Sequence, residues 1–136
     1  MKLRRATLED LPAIAAIQSA CPQAAQWNPA EYLEYETLAA IFDDRVAGFL
    51  VSRVVAEHEC EILSVAVSPE FRRRGVAKTL ISELLRRNGA VYLEVRESNR
   101  AARALYQVLG FQEVAARPGY YSNPPEAAIV LKFHSC

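Results

Sequence analysis

The sequence predicts a single mixed α/β domain of α+β character, residues 1–136, and three observations carry that expectation. Strand-like apolar runs and amphipathic stretches follow one another in the order β-α-α-β-β-β-α-β-α-β-β. A chain of 136 residues with 51% apolar content can close one sizeable core but hardly two. No linker, internal repeat or low-complexity tract divides it.

Lys2 to Ala6 reads as the opening strand. Thr7 and Asp10 stand at capping-box spacing before a helix through about Ala20, with Leu11, Ile14 and Ile17 at helical spacing. Pro12 falls in its first turn, where a missing N–H costs little. Asn28-Pro29 reads as the N-cap and first position of a short helix over Ala30 to Glu36, with Trp27, Tyr32 and Tyr35 around it. Leu38 to Phe42 and Val46 to Val55 form a hairpin about Asp43-Asp44-Arg45, and Glu61 to Val67 is the next strand. A helix with Leu80, Ile81, Leu84 and Leu85 on one face stops at Asn88-Gly89. Strand Ala90 to Val95 and a helix from Asn99 to Leu109, ended by Gly110, come next. Two strands near Phe111 to Ala116 and Ala127 to Phe133 close the chain, with the Pro- and Gly-bearing segment Arg117 to Pro125 between them as a loop.

The segment from Val65 to Lys78 carries the chemistry most plainly. The strand Val65-Ala66-Val67 runs through a short turn into Arg72-Arg73-Arg74-Gly75, which opens the helix at Val76-Ala77-Lys78. The first N–H groups of a helix lack intrahelical acceptors, and the macrodipole puts partial positive charge at the same end. Gly75 has no Cβ, so a pyrophosphate can approach the backbone closely, while the arginines and Lys78 add charge around it. A solvated basic turn before an ordinary helix is the other reading of the same residues.

Two motifs, in order and on the expected elements, resemble the GCN5-related N-acetyltransferase (GNAT) family. Its pyrophosphate motif, Arg/Gln-x-x-Gly-x-Gly/Ala, stands here as Arg72 to Ala77, and its later N-x-x-A-x-x-L-Y-x-x-x-G-F pattern stands as Asn99, Ala102, Leu105, Tyr106, Gly110 and Phe111. Together they cover the central half of the chain. The resemblance implies a mixed, mostly antiparallel sheet with helices on both faces, a splay between the two central strands, and acetyl-coenzyme A lying in that splay. It implies that the backbone of Val65 to Val67 pairs with the pantetheine arm and polarises the thioester carbonyl. Arg73, Arg74, Gly75, Val76, Ala77 and Lys78 would hold the pyrophosphate, and Asn99 would contact the cofactor; Asn99 also fits a helix N-cap, and the two roles are compatible.

Acetyl transfer from a thioester needs a neutral amine, a polarised carbonyl and a stabilised leaving thiolate. By the family pattern Tyr106 is the candidate acid, since its phenol would reach the departing sulfur; packing against Phe111 is the alternative. Glu94 interrupts the apolar run Tyr92-Leu93-Glu94-Val95, on a solvent face or facing a cleft, and alternation alone does not choose. Within the family the chain looks most similar to the bacterial ribosomal-protein-alanine N-acetyltransferases, through Leu93-Glu94-Val95-Arg96, Trp27 and Tyr120-Tyr121. That resemblance assigns Glu94 as base and a protein N-terminal amine as acceptor. The late loop is shorter here, and Glu126-Ala127 stands where those relatives carry an acidic pair, which touches the peptide substrate but not the cofactor. Trp27, Tyr32 and Tyr121 are the candidate substrate contacts, each equally compatible with plain packing.

Lys plus Arg and Asp plus Glu are balanced at 16 each, which speaks against a nucleic-acid or membrane-surface protein held by a global field. No apolar run approaches the roughly 20 residues that span a bilayer, and no signal-peptide block follows the N-terminus, so the expected location is the cytoplasm. Cys21, Cys60 and Cys136 are too few and too widely spaced for a disulfide framework or a zinc site, and His58 and His134 show no metal-ligand spacing, so no metal is expected. An acetyltransferase for a lysine or a small amine is the rival activity, and a catalytically silent acyl-coenzyme A binding module the rival class. A monomer or a homodimer is equally compatible.

Overall fold

The computed structural model describes residues 1–22 and 26–134; Cys136 lies outside them. The chain runs β1 (Lys2–Arg5), α1 (Leu11–Ser19), β2 (Glu36–Phe42), β3 (Arg45–Ala56), β4 (Glu59–Val67), α2 (Val76–Arg87), β5 (Ala90–Arg96), α3 (Arg100–Val108), β6 (Gln112–Tyr121) and β7 (Glu126–His134), with 3-10 turns at Leu8–Asp10, Pro29–Glu34 and Pro69–Phe71. The strands form one seven-stranded sheet in the order β1-β2-β3-β4-β5-β7-β6. The β1–β2, β2–β3, β5–β7 and β6–β7 ladders are antiparallel, and β5 joins β4 in parallel over Glu59 with Ala90, Cys60 with Val91 and Glu61 with Tyr92. The predicted mixed, mostly antiparallel sheet is thus present. Among the described residues no helix is long and apolar enough to cross a membrane.

Three local readings change. The segment expected as a short helix over Ala30 to Glu36 is a 3-10 turn, Pro29–Glu34, because β2 already begins at Glu36; Asn28 still caps it, its Oδ1 accepting from Ala30 N at 3.1 Å. The β2–β3 connection is tighter than expected: Asp43 and Asp44 sit at φ 48° and 62°, the pair of positive values that a two-residue hairpin turn requires. Arg117 to Tyr121, expected as loop, continues β6. The register of β6 slips between Glu113 and Ala115 and again between Arg117 and Tyr121, so the sequence loses its alternation while the strand continues to Tyr121. Pro118 is tolerated because β6 is the edge strand, and Gly119 takes φ 65° in the slipped segment.

Residue contacts group the chain into two units, Met1–Arg53 with Ile62–Glu83 and Val54–Glu61 with Leu84–Cys136. In the first, Ile14 and Ile17 of α1 pack with Tyr32, Ala39, Phe49, Val51 and Ala66. Its opening turn is tied by Asp10, which accepts from Thr7 N at 2.8 Å and from Nη1 and Nη2 of Arg4 at 2.7 and 2.9 Å. In the second, Tyr106, Phe111 and Phe133 form an aromatic series with centroid separations of 5.1 and 5.7 Å.

Arg4 beside the nearly buried Asp10 carboxyl holds its pKa down from 3.8 to about 2, against the opposing effect of burial. A depressed folded-state value means that the carboxylate stabilises the fold above its ordinary pKa and loses that contribution as pH falls through about 2. Asp10→Asn should therefore cost about 2 kcal/mol at neutral pH. Urea denaturation of the two proteins checks this, with the difference shrinking as the pH is lowered from about 4 toward 2.

Candidate active site

In the first unit, β4 alternates cleanly: Ile62, Ser64 and Ala66 are buried while Leu63, Val65 and Val67 are half-buried. A turn follows in which Phe71 is buried and stacks on Phe42 at 5.5 Å between centroids. The three arginines after it do different things. Arg72 reaches the Cys21 sulfur at 3.5 Å, Arg73 holds φ 64°, and Arg74 lies over the Phe71 ring at 5.5 Å. Gly75 takes φ 76°, and a Cβ built there would meet nothing within 4 Å. Thr79 N donates to Gly75 O at 3.0 Å as the first full-turn bond of α2, so the N–H groups of Val76, Ala77 and Lys78 precede it at the positive end of the helix. Open space over a glycine, beside those N–H groups and the exposed cations Arg73 and Lys78, suits a phosphate-bearing ligand.

Gly48 supports this arrangement. On β3, a Cβ at this position would lie 2.9 Å from Ala66 O and 2.9 Å from Val76 Cγ1, so only glycine lets β3 come this close to the strand and helix that form the cradle. Its place inside an apolar strand was the available sequence signal, since an interior glycine marks close backbone approach.

The second unit holds the candidate proton-transfer groups. On β5, Leu93 and Val95 are buried while Tyr92, Glu94 and Arg96 share the half-buried face. The Glu94 side chain is 17% exposed; its Oε1 accepts from Arg117 Nη1 at 2.7 Å, and its Oε2 is buried with no hydrogen-bond partner among the described residues. A buried carboxylate oxygen left without a donor is costly, so a donor supplied by a substrate or by water would be stabilised at Oε2. Beside it Arg96 lies over the Tyr121 ring at 4.5 Å, pairs with Glu126 at 3.2 Å and donates to Ser122 O at 3.1 Å. Asn99 caps α3, its Oδ1 accepting from Ala102 N at 3.2 Å. Tyr106, about two turns beyond Asn99, is 2% exposed and edge-on to Phe111, and burial pushes its phenol well above its ordinary value.

The chain matches the family model described as Acetyltransferase (GNAT) family over residues 4–111. It belongs to that family. Over 134 residues it is 38% identical to the [ribosomal protein bS18]-alanine N-acetyltransferase of Salmonella typhimurium, covering 90% of this chain and 89% of that protein. The crystal structure of the ribosomal-protein-S18-alanine N-acetyltransferase from Escherichia coli superposes with a TM-score of 0.83 at 29% identity, over 98% of this chain and 92% of that one. Ard1 from Thermoplasma volcanium gives a TM-score of 0.86 at 26% identity, over 99% and 97%. The chain is thus an acetyl-coenzyme A-dependent N-acetyltransferase.

For a GNAT acetyltransferase the expected residues fall into two groups. Val65 to Val67 and Arg73 to Lys78 stand together around the Gly75 turn in the first unit. Glu94, Asn99, Tyr106 and Tyr121 belong to the second. Tyr32, expected at the substrate, is instead fully buried: its hydroxyl donates to Gln18 Oε1, and its ring packs against Phe49 at 5.7 Å. Trp27, stacked on Tyr32 at 6.3 Å, is 37% exposed and remains available. An open groove of about 890 Å³ runs along α3 and β6, but its charged walls are already joined by Arg103 and Glu113 at 2.9 Å, and it includes neither Glu94 nor Tyr106. Among the described residues, no group of three His, Cys, Asp or Glu side chains could hold a metal ion.

Proposed function

We propose that the chain transfers an acetyl group from acetyl-coenzyme A to the α-amino group of a protein N-terminus by direct attack, with both substrates held together. The observation that carries this reading is Oε2 of Glu94, a buried carboxylate oxygen with no protein donor on the face of β5. An amine N–H, or a water that relays its proton, is the donor it lacks. The Salmonella relative at 38% identity is named for an alanine of ribosomal protein bS18, which supports an N-terminal acceptor.

In this reading the Gly75 turn and the first N–H groups of α2 bind the pyrophosphate, and the backbone of Val65 to Val67 orients the thioester. The amine nitrogen forms the new C–N bond as the C–S bond breaks; by the family pattern Glu94 is the acceptor of the amine proton, and Tyr106 is the hydrogen-bond donor for the sulfur that leaves as thiolate. An α-amino group with a pKa of about 7.7 to 8.0 needs little help to become neutral, whereas a lysine at about 10.4 would ask more of the same carboxylate. The raised pKa of Tyr106 keeps its proton in place against a thiolate of about 8.5, which supports stabilisation by hydrogen-bond donation over full transfer.

Acetylation assays against alanine-starting peptides, lysine peptides and small amines test the acceptor. Turnover confined to free N-termini is expected; turnover confined to lysines or small amines would replace the acceptor, and cofactor binding without any turnover would make the chain a silent binding module. Tyr106→Phe removes one hydroxyl and should lower kcat by about tenfold or more with little change in acetyl-coenzyme A affinity. Stopped-flow or steady-state rates with a calorimetric Kd check it, and an unchanged kcat would leave Tyr106 as a core residue only.

A further inference from the structure

We infer that Arg117 is a positioning residue for Glu94, an inference that rests on Glu94 being the base proposed above. Ala128 of β7 pairs with Arg96 on one side and Arg117 on the other, and Val130 likewise pairs with Glu94 and Ala115. Paired residues point to the same side of a sheet, as do residues two apart on a strand, so Arg96, Glu94 and Arg117 share one face. Ala128, small and fully buried, leaves room for the Arg117 side chain to pass over it and meet Glu94 diagonally at 2.7 Å.

The contact engages one carboxylate oxygen. Arg117 Nη1 takes Oε1, which restrains the rotation of the carboxylate and leaves the buried Oε2 as the oxygen open to a donor. The arginine is itself held: its guanidinium lies over the Tyr120 ring at 4.5 Å, Tyr120 is edge-on to Tyr121 at 5.1 Å, and Tyr121 lies under Arg96. Arg117 is therefore anchored in the slipped β6 segment just before the double tyrosine, and it connects the late hairpin to the base. With its side chain 54% exposed, the pair adds little to stability, so its effect belongs to the orientation of Glu94.

The test compares wild type, Arg117→Ala, Arg117→Lys, Glu94→Gln and the Arg117→Ala/Glu94→Gln double variant, with kcat and KM measured on an alanine-starting peptide and Tm recorded for each. Arg117→Ala should lower kcat on the order of tenfold, the penalty expected for a loosened catalytic group, with KM for acetyl-coenzyme A and Tm unchanged. Arg117→Lys, which keeps the charge, should recover part of the loss. In the Glu94→Gln background Arg117→Ala should cost nothing further, because a residue acting only through Glu94 has nothing left to position. A loss that multiplies in the double variant, or an unchanged kcat in Arg117→Ala while Glu94→Gln is slow, overturns this inference alone. Unchanged turnover in Glu94→Gln overturns the base assignment and the inference together.

Discussion

Replacing Gly75 by valine should abolish acetyl-coenzyme A binding in a protein that still folds. Gly75 holds φ 76°, a conformation costly for a β-branched residue, and the strain is roughly 1 to 3 kcal/mol. No neighbour lies within 4 Å of the added Cβ, so backbone strain is the main expected cost to the fold, and a cooperative thermal transition should survive at reduced Tm. The same open space is where a pyrophosphate would approach the N–H groups of Val76, Ala77 and Lys78, and two methyl groups there would keep it out. Calorimetric titration of the folded variant decides the matter; wild-type affinity would reduce Gly75 to a helix start.

The strand-turn-helix arrangement around Gly75 was legible from the sequence because everything that dictates it is local: a strand, a turn, a glycine and an amphipathic run within fourteen residues, Val65 to Lys78. The same holds for Asn99, whose cap on Ala102 N spans three residues. Long-range terms decide the rest. Tyr32 was readable as an aromatic near the acceptor, but its burial depends on Gln18, fourteen residues earlier, and on Phe49 of β3. The late segment was misread because Pro118 and Gly119 signal a loop wherever the strand they occupy is not known to be an edge.

Glu94 shows the limit most clearly. Period-two alternation placed it on a face with Tyr92 and Arg96, yet whether that face meets solvent or partners depends on which strand lies two positions away. Its partner Arg117 is 23 residues distant and comes opposite Ala128, on the face of Glu94, only because the β6 register slips between Glu113 and Ala115, a feature with no periodic signature. A pairing of this kind has to be seen in the sheet.

If Glu94 accepts the proton of an α-amino group, Glu94→Gln should slow transfer most where the acceptor is almost entirely protonated and least where it is already neutral. The amine's pKa of about 7.7 to 8.0 sets the crossover: near pH 6.5 only a few per cent is free base, and near pH 9.5 nearly all of it is. The glutamine keeps the size of the side chain and can still accept from Arg117, so the fold and the loop contact should persist while the proton acceptor is lost. The wild-type to variant rate ratio, measured from about pH 6.5 to 9.5 with an alanine-starting peptide at saturating acetyl-coenzyme A, should therefore fall steadily as pH rises. A large ratio that stays flat would mean that Glu94 positions the substrate without taking its proton, and a ratio near one throughout would return it to the structural face of β5.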